Sequence, residues 1–251
     1  MHEYPGTTTR HRIPLIIGAA NATAAPAVAA MASGTAKAAE DPCAVSKSRV
    51  LSNPETNLDL ERTALVVIDP QMGLMSPKGV AWPAALGKSA TEHRTIQNLG
   101  RLLKASKHAR ITVGISLTSE VCRGPGSDFI PGLVQYIEDG ETIICAPHVR
   151  YSPLPRNDIA HQFRKRRVDQ IIIAGMIANL GIEFHLRHFL AHGFNVAVVR
   201  DAVVGPKLPE GDGYLSSLVN FRRIANALWT IEETVKRLRW AGPETPPGAG
   251  C

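Results

Sequence analysis

Apolar runs of strand length that alternate with helical patterns constrain the fold of this chain most. Residues 64–68 and 171–174 are unbroken runs of apolar side chains, which is typical of parallel strands buried on both faces. Further strands are predicted at residues 111–117, 142–145 and 195–199. Such alternation requires a parallel sheet with helices on both faces. We therefore predict an α/β fold, a three-layer Rossmann-like sandwich with a six-stranded, mainly parallel sheet.

The helices between these strands are located by apolar spacing and by end signals. Asn157 is a capping residue for one of them, and His192-Gly193 is a typical helix end. Thr230 and Glu233 have the spacing of a capping box. The predicted helices are residues 89–107, 157–167, 180–191, 214–227 and a last one that begins after Thr230.

The two ends of the chain lack the pattern of a folded domain. Residues 1–40 contain Arg10-His11-Arg12, an apolar and alanine-rich stretch and a small-x-small sequence, a layout similar to a twin-arginine export signal. If this leader directs export, the chain is expected to be periplasmic. If it does not, the chain is expected to be cytoplasmic. Prolines interrupt its apolar part, so no membrane-spanning helix is expected. Residues 41–60 are predicted to be a linker, 61–240 the domain and 241–251 a flexible tail.

Composition narrows the class of ligand. The formal charge is +6, but the basic residues are scattered and only 5% of the residues are aromatic, so a nucleic-acid partner is not expected. The sequence has no GxGxxG motif, and its four cysteines, Cys43, Cys122, Cys145 and Cys251, form no CxxC pair. We therefore expect neither a cofactor nor a metal. Cys145 is predicted to be a buried apolar residue, and Cys122 is the thiol to test for reactivity.

Polar segments follow three of the predicted strands, at residues 69–73, 146–151 and 175–181. Ligands of parallel sheets bind at the carboxyl ends of the strands, near the point where the strand order reverses. The sequence therefore predicts one site at this edge that contains Asp69, a residue at 148–150 and Gly181.

These segments carry a family resemblance. Residues 68–73 read Ile-Asp-Pro-Gln-Met-Gly, residues 175–183 read Gly-Met-Ile-Ala-Asn-Leu-Gly-Ile-Glu, and residues 194–202 end in Asp-Ala after a strand. In order and spacing they resemble the motifs of the isochorismatase-like cysteine hydrolases, over about residues 61–238. The resemblance implies a hydrolase that acts on a small molecule and assembles as a homo-oligomer.

The resemblance also implies a catalytic set of aspartate, lysine and cysteine, of which this chain keeps one member. Asp69 matches the aspartate, whereas Gly181 stands at the position of the cysteine. No lysine occurs in residues 146–153, where His148 or Val149 takes its place and His148 or Arg150 supplies positive charge.

The remaining site residues follow from the same resemblance. Substrate contacts are expected from Gln71, Arg150, Ile177, Ala178 and Asn179, the Ala178 and Gly181 N–H groups are expected to bind an oxyanion, and a cis peptide bond is expected at Ile177–Ala178. Glu183 and His185 are interpreted as polar residues of the next helix face.

Three interpretations of Gly181 stay open. Glycine cannot attack a substrate, so a reaction here would use Asp69 without a cysteine, as the isochorismatases proper do when they cleave a vinyl ether. Alternatively, the chain is a non-catalytic homologue that binds a small molecule or forms an oligomer. The third interpretation is that Gly181 is a substitution introduced for study and that the natural residue is cysteine. The N–H groups at the start of the following helix favour an anionic ligand in each case.

Overall fold

The computed structural model describes residues 58–75, 83–118, 127–145 and 157–240, which belong to one compact unit. The predicted leader at residues 1–40, most of the linker at 41–60 and the tail at 241–251 lie outside the described residues. The same holds for His148, Val149 and Arg150, and for every cysteine except Cys145.

Six strands form the main sheet: β1 (Thr63–Ile68), β2 (Thr112–Ser116), β3 (Ile143–Ile144), β4 (Gln170–Met176), β5 (Asn195–Val204) and β8 (Ala227–Trp229). Their order in the sheet is β3-β2-β1-β4-β5-β8, and every neighbouring pair is parallel. A separate antiparallel pair joins β6 (Lys207–Leu208) to β7 (Gly211–Asp212). This topology confirms the predicted three-layer α/β fold.

The helices cover both faces of the sheet. They are α1 (Met72–Met75), α2 (Pro83–Glu92), α3 (Thr95–His108), α4 (Pro131–Ile137), α5 (Ile159–Lys165), α6 (Glu183–Ala191), α7 (Gly213–Ile224) and α8 (Ile231–Trp240). Leu65 and Val67 of β1 face one core, which α2, α3, α4 and α8 complete. Val66 and Ile68 face the other, which α5, α6 and α7 complete. Alternate side chains of one strand therefore feed two cores, which explains its unbroken apolar sequence.

Three predicted boundaries are wrong. The helix predicted at residues 89–107 is two helices, because Arg94 between α2 and α3 has a left-handed backbone with φ 49°. The helix predicted to reach residue 227 ends at Ile224, because Ala225 is extended, and residues 227–229 form β8 of the main sheet. The strand predicted at residues 195–199 continues to Val204, where it pairs again with β4 after a register shift.

The predicted end signals lie at the ends of three helices. Asp158 and not Asn157 is the residue directly before α5, but Asn157 Oδ1 accepts a hydrogen bond from the N–H of Ile159, the first residue of that helix, at 3.1 Å. Thr230 and Glu233 make the reciprocal bonds of a capping box, at 2.6 and 3.2 Å. Gly193, with φ 74°, closes α6. No helix in the described ranges is long and apolar enough to span a bilayer.

Gly175 allows the two central strands, β4 and β1, to pair closely at their carboxyl ends. A Cβ on this residue would lie 2.1 Å from the carbonyl oxygen of Ile68, and its φ of +114° is one that side-chain-bearing residues rarely adopt. Since Gly175 pairs with Ile68, the absence of a side chain allows β4 and β1 to stay in register up to their carboxyl ends.

We predict that Gly175→Ala lowers the free energy of unfolding by more than about 4 kcal/mol, because it adds both strain and a steric overlap. Two control variants separate these effects. Gly140 has φ +80° and open space around it, so Gly140→Ala should cost only the strain, about 1–2 kcal/mol. Gly132 lies in α4 with open space, so Gly132→Ala should stabilise by about 0.5–1 kcal/mol. Denaturant unfolding measures all three, and equal losses in Gly175→Ala and Gly140→Ala would contradict the overlap.

Candidate functional site

Asp69 lies directly after β1, at the carboxyl edge of the sheet. Its residue exposure is 4%, and its backbone is left-handed with φ 52°. Its N–H donates to the carbonyl oxygen of Ser116, the last residue of β2, at 2.8 Å. The hydrogen bond holds a backbone conformation that is uncommon for residues other than glycine, and such conformations concentrate at functional sites.

Gln71 fastens the turn after Asp69 to a neighbouring segment. Its N–H donates to Asp69 O at 2.8 Å, and its side-chain Nε2 donates to Ser127 O at 3.1 Å. It also forms a bridge with Phe129. Part of this side chain therefore holds the loop, a role that its prediction as a substrate contact did not include.

Residues Ala178–Ile182 form a π-helical turn between β4 and α6. The carbonyl oxygen of Ile177 accepts the N–H groups of both Leu180 and Ile182 at 3.0 Å. π-Helical turns are rare and frequently mark functional sites. The cis peptide bond lies at Met176–Ile177, the step that leaves β4, and not at Ile177–Ala178 as the sequence predicted.

Gly181 is buried in this turn and adjoins the Asp69 segment. A Cβ on Gly181 would lie 2.9 Å from Met176 O and 3.4 Å from Cγ2 of Ile68, the residue before Asp69. The turn and the end of β1 are therefore in contact, while a shared site of Asp69 and Gly181 stays a prediction. The first distance is too short for a side chain without movement of the backbone, so the turn is built around glycine.

Asn179 offers a polar group at this edge. Its Oδ1 is buried and has no hydrogen-bond partner within the described part of the chain. Its Nδ2 lies 3.0 Å from the position a Cβ of Gly213 would take, so α7 packs closely against the turn. A buried acceptor without a partner is costly unless a ligand or water satisfies it, which fits the predicted substrate contact. Ile177 and Ala178 are buried beside it.

A buried hydrogen-bond network lies beneath the turn. His185 of α6 has 0% exposure, its Nε2 is 2.8 Å from Ser116 Oγ, and its Nδ1 is 2.7 Å from Gly181 O. Asn157 Nδ2 donates to the same Ser116 Oγ at 2.9 Å. The sequence interpretation of His185 as an ordinary polar residue of a helix face missed this burial. The signal was available, because Ile182, His185 and Phe189 have the spacing of one buried face.

The surroundings of Glu183 and Cys145 fit structural roles and not catalytic ones. Glu183 accepts from Arg187 at 2.8 Å and from Asn220 at 3.0 Å, as expected of a polar residue on a helix face. Cys145 is buried after β3, and burial, followed by the charge of Asp158, raises the pKa of its thiol to about 12. This thiol is therefore protonated at neutral pH and is not a nucleophile.

Within the described residues, neither a metal centre nor the cleft between α3, α4 and α8 is a better candidate for the functional site than this edge. The described ranges contain no group of three or more His, Cys, Asp or Glu side chains placed to hold a metal ion. A cleft of about 770 Å³ lies between α3, α4 and α8 and is lined by Arg101, Lys104, Lys107, Tyr136, Leu238 and Arg239, among others. α3 ends there and leads into β2, so the cleft is at the amino edge of the sheet. Glu232 and Asp139 already pair with Arg101 and Lys107. We place the functional site at the carboxyl edge.

Comparisons with known proteins agree with this architecture. The family model described as the isochorismatase domain matches residues 63–227. The uncharacterized isochorismatase family protein YwoC of Bacillus subtilis strain 168 is 24% identical over 156 residues, which are 59% of this chain and 80% of that protein.

Solved structures share the fold at low identity. The cysteine hydrolase from Pseudomonas syringae pv. phaseolicola 1448A has a TM-score of 0.64 and 21% identity, covering 74% of this chain and 96% of that one. The YcaC gene product of Escherichia coli, an octameric hydrolase of unknown specificity, has a TM-score of 0.56 and 20% identity, covering 73% and 82%. At these identities the likeness shows the fold alone.

We predict that Gly181→Ala destabilises the protein by about 1–3 kcal/mol, since the new methyl group must displace the Met176 carbonyl. Gly100→Ala in α3 is the matched control, because its Cβ would meet Leu133 at an ordinary 3.7 Å. That control should gain about 0.5–1 kcal/mol from helix propensity. Urea unfolding of the two variants checks this, and equal stability would show that the turn accepts a side chain.

Proposed function

Because the chain belongs to the isochorismatase family, we propose that it is a small-molecule hydrolase whose reaction uses the carboxyl group of Asp69 and no cysteine. The observation that carries the proposal is the placement of Asp69, buried and held in a left-handed conformation, beside a π turn built around glycine. The substrate class is a vinyl ether or an amide, and the site favours the vinyl ether.

The missing side chain at Gly181 decides between these two reactions. Amide hydrolysis in the cysteine enzymes of this family passes through a covalent intermediate, and loss of the nucleophile from such a catalytic set costs on the order of 10⁶ in rate. The thiol of Cys145 does not replace it, because burial keeps that thiol protonated. Vinyl ether cleavage needs an acid that protonates a substrate carbon, after which water attacks the resulting cation. A carboxyl group alone supplies that proton.

Asn179 and the turn are proposed to bind the substrate. The buried Oδ1 of Asn179 would accept a hydrogen bond from a hydroxyl or amide of the ligand. Ala178 and Gly181 are proposed to receive a carboxylate or other anionic group through their N–H groups, at the start of the segment that leads into α6. His148 and Arg150 would add positive charge from the segment that follows β3.

The second candidate function is binding without catalysis on the same site. Asn179 supports this alternative equally, because a buried acceptor serves a ligand that is held as well as one that is cleaved. The absence of a thiol nucleophile at Gly181 is what a homologue without catalysis would show. Only a rate measurement separates the two functions.

We also propose that the protein forms a homo-oligomer. Three large apolar residues on α6 and α7 are exposed: Phe184 at 47%, Leu215 at 57% and Val219 at 61% of the residue surface. Exposed apolar side chains on adjoining helices are common where subunits meet. Light scattering of the purified protein checks this assembly. Export through the predicted leader stays a prediction.

We predict that Asp69→Asn lowers the hydrolysis rate of a vinyl ether substrate by at least about 10²-fold, because the amide does not deliver a proton. Asp158→Asn is the control: this exposed carboxylate accepts a bond from Gln162 on α5 and should have no effect. Parent turnover in D₂O should place one deuterium on the product carbon that was protonated. Iodoacetamide should leave the rate unchanged.

The outcomes separate the two candidate functions. Loss of turnover on alkylation, together with loss in Cys122→Ser, would place the nucleophile at a cysteine and refute the Asp69 reaction. Binding of a carboxylate ligand without turnover of any vinyl ether or amide would establish the non-catalytic alternative. Retention of full rate in Asp69→Asn would remove Asp69 from the mechanism.

A further inference from the structure

His185 joins two parts of the site that are distant in the sequence. Its ring is fully buried, with Nδ1 2.7 Å from the carbonyl oxygen of Gly181 and Nε2 2.8 Å from the hydroxyl oxygen of Ser116. Both distances are ordinary hydrogen-bond lengths. The ring therefore bridges the π turn and the end of β2.

The neighbouring groups determine which ring nitrogen carries the proton. A carbonyl oxygen accepts and never donates, so Nδ1 must carry a hydrogen toward Gly181 O. Asn157 is oriented independently, because its Oδ1 accepts the N–H of Ile159 at 3.1 Å. Its Nδ2 then donates to one lone pair of Ser116 Oγ at 2.9 Å, and a Ser116 hydroxyl hydrogen directed at His185 Nε2 would complete the 2.8 Å contact there. The network is consistent with a neutral histidine in the Nδ1–H tautomer.

Ser116 connects this network to Asp69. Its hydroxyl contacts His185, and its carbonyl oxygen accepts the N–H of Asp69 at 2.8 Å. One residue at the end of β2 therefore holds the aspartate through its main chain and the histidine through its side chain. His185 in turn holds the carbonyl of Gly181, four residues earlier in the chain.

We propose that His185 is the positioning residue of this site: as the neutral Nδ1–H tautomer it clamps the Gly181 turn and links it, through Ser116, to Asp69. The link to Asp69 gives the clamp a role in the reaction only if the proposed function holds. The clamp on the turn itself stands without it.

A serine and a histidine within hydrogen-bond reach, with a third group orienting the histidine, also resemble a nucleophile and its base. Burial argues against that role here. Ser116 and His185 both have 0% exposure, and the ring of His185 lies 6.3 Å from that of Phe189 in the core beneath the sheet. A substrate does not reach the hydroxyl, so the pair maintains geometry.

The test compares His185→Thr with His185→Val. The two side chains have nearly the same shape, so they leave similar cavities, but threonine in a helix donates its hydroxyl to the carbonyl four residues earlier. His185→Thr therefore restores the bond to Gly181 O, whereas His185→Val does not. Amide hydrogen exchange of Ile182, whose N–H bonds to Ile177 O within the turn, reports the clamp directly.

We expect the Ile182 amide to exchange about fivefold faster in His185→Val than in His185→Thr, the worth of one hydrogen bond. The amide of Ile172 in the centre of β4 is the internal control and should exchange equally in both. Equal exchange of Ile182 in the two variants would overturn the clamp. A parallel change at Ile172 would also overturn it, because His185 would then contribute only to global stability.

A second measurement needs no variant. Nitrogen and carbon chemical shifts of the His185 ring in the unmodified protein should show the neutral Nδ1–H tautomer, and the Nε2–H tautomer would refute the proposal. Labelling of Ser116 by a fluorophosphonate would also refute it, in favour of a nucleophilic role.

Vinyl ether turnover, where it occurs, should fall further in His185→Val than in His185→Thr, through kcat more than through KM. Equal turnover in the two variants would count against the link to Asp69. Absence of turnover in the parent protein would refute the proposed function, while the exchange and tautomer measurements would still decide the clamp.

Discussion

The pairing of β1 with β4 at the centre of the sheet is the interaction on which the site depends. Both strands are buried along their whole length, and they stay in parallel register from Thr63 with Gln170 to Ile68 with Gly175. Two apolar cores hold this pair from opposite faces. Because the strands end together, Asp69 and the Gly181 turn emerge side by side.

The polar groups at this edge pack against one of the two apolar cores. Burial of a polar side chain is unfavourable unless its hydrogen bonds are formed. Ser116, Asn157 and His185 satisfy one another and also the backbone groups of Ile159 and Gly181. The network therefore fixes the carbonyl group of Gly181 relative to the end of β2. Apolar side chains in the same positions would fill the space without setting these directions.

The sequence was sufficient to predict the central strands of the sheet and the edge at which the candidate site lies. The apolar runs at residues 64–68 and 171–174 identified the central strands, because burial on both faces leaves no place for polar residues. The short strand Ala227–Trp229 was not found, since three residues give no periodicity and pairing with β5 alone makes them a strand. The break at Arg94 was missed for a related reason, because residues on both sides of it have helical spacing.

The hydrogen-bond partners of side chains were harder to predict than the positions of residues in the fold. Asp69 and Gly181 were placed together because both follow strands of one sheet. Contacts between Ser116, Asn157 and His185 depend on three elements far apart in sequence, and no local pattern encodes them. The same limit applies to Gln71, whose partner Ser127 lies on a loop between β2 and α4.

Gly181 in the turn and His185 in α6 are physically coupled. Glycine at position 181 removes a side chain and adds backbone freedom, which costs roughly 0.5–1 kcal/mol where the backbone must be helical. The buried His185 ring bonds to the carbonyl of that same glycine at 2.7 Å, and a hydrogen bond of this kind contributes about 1 kcal/mol. The two terms are similar in size and opposite in sign. The proposed clamp by His185 would therefore offset the backbone freedom that glycine adds to a turn without a nucleophile.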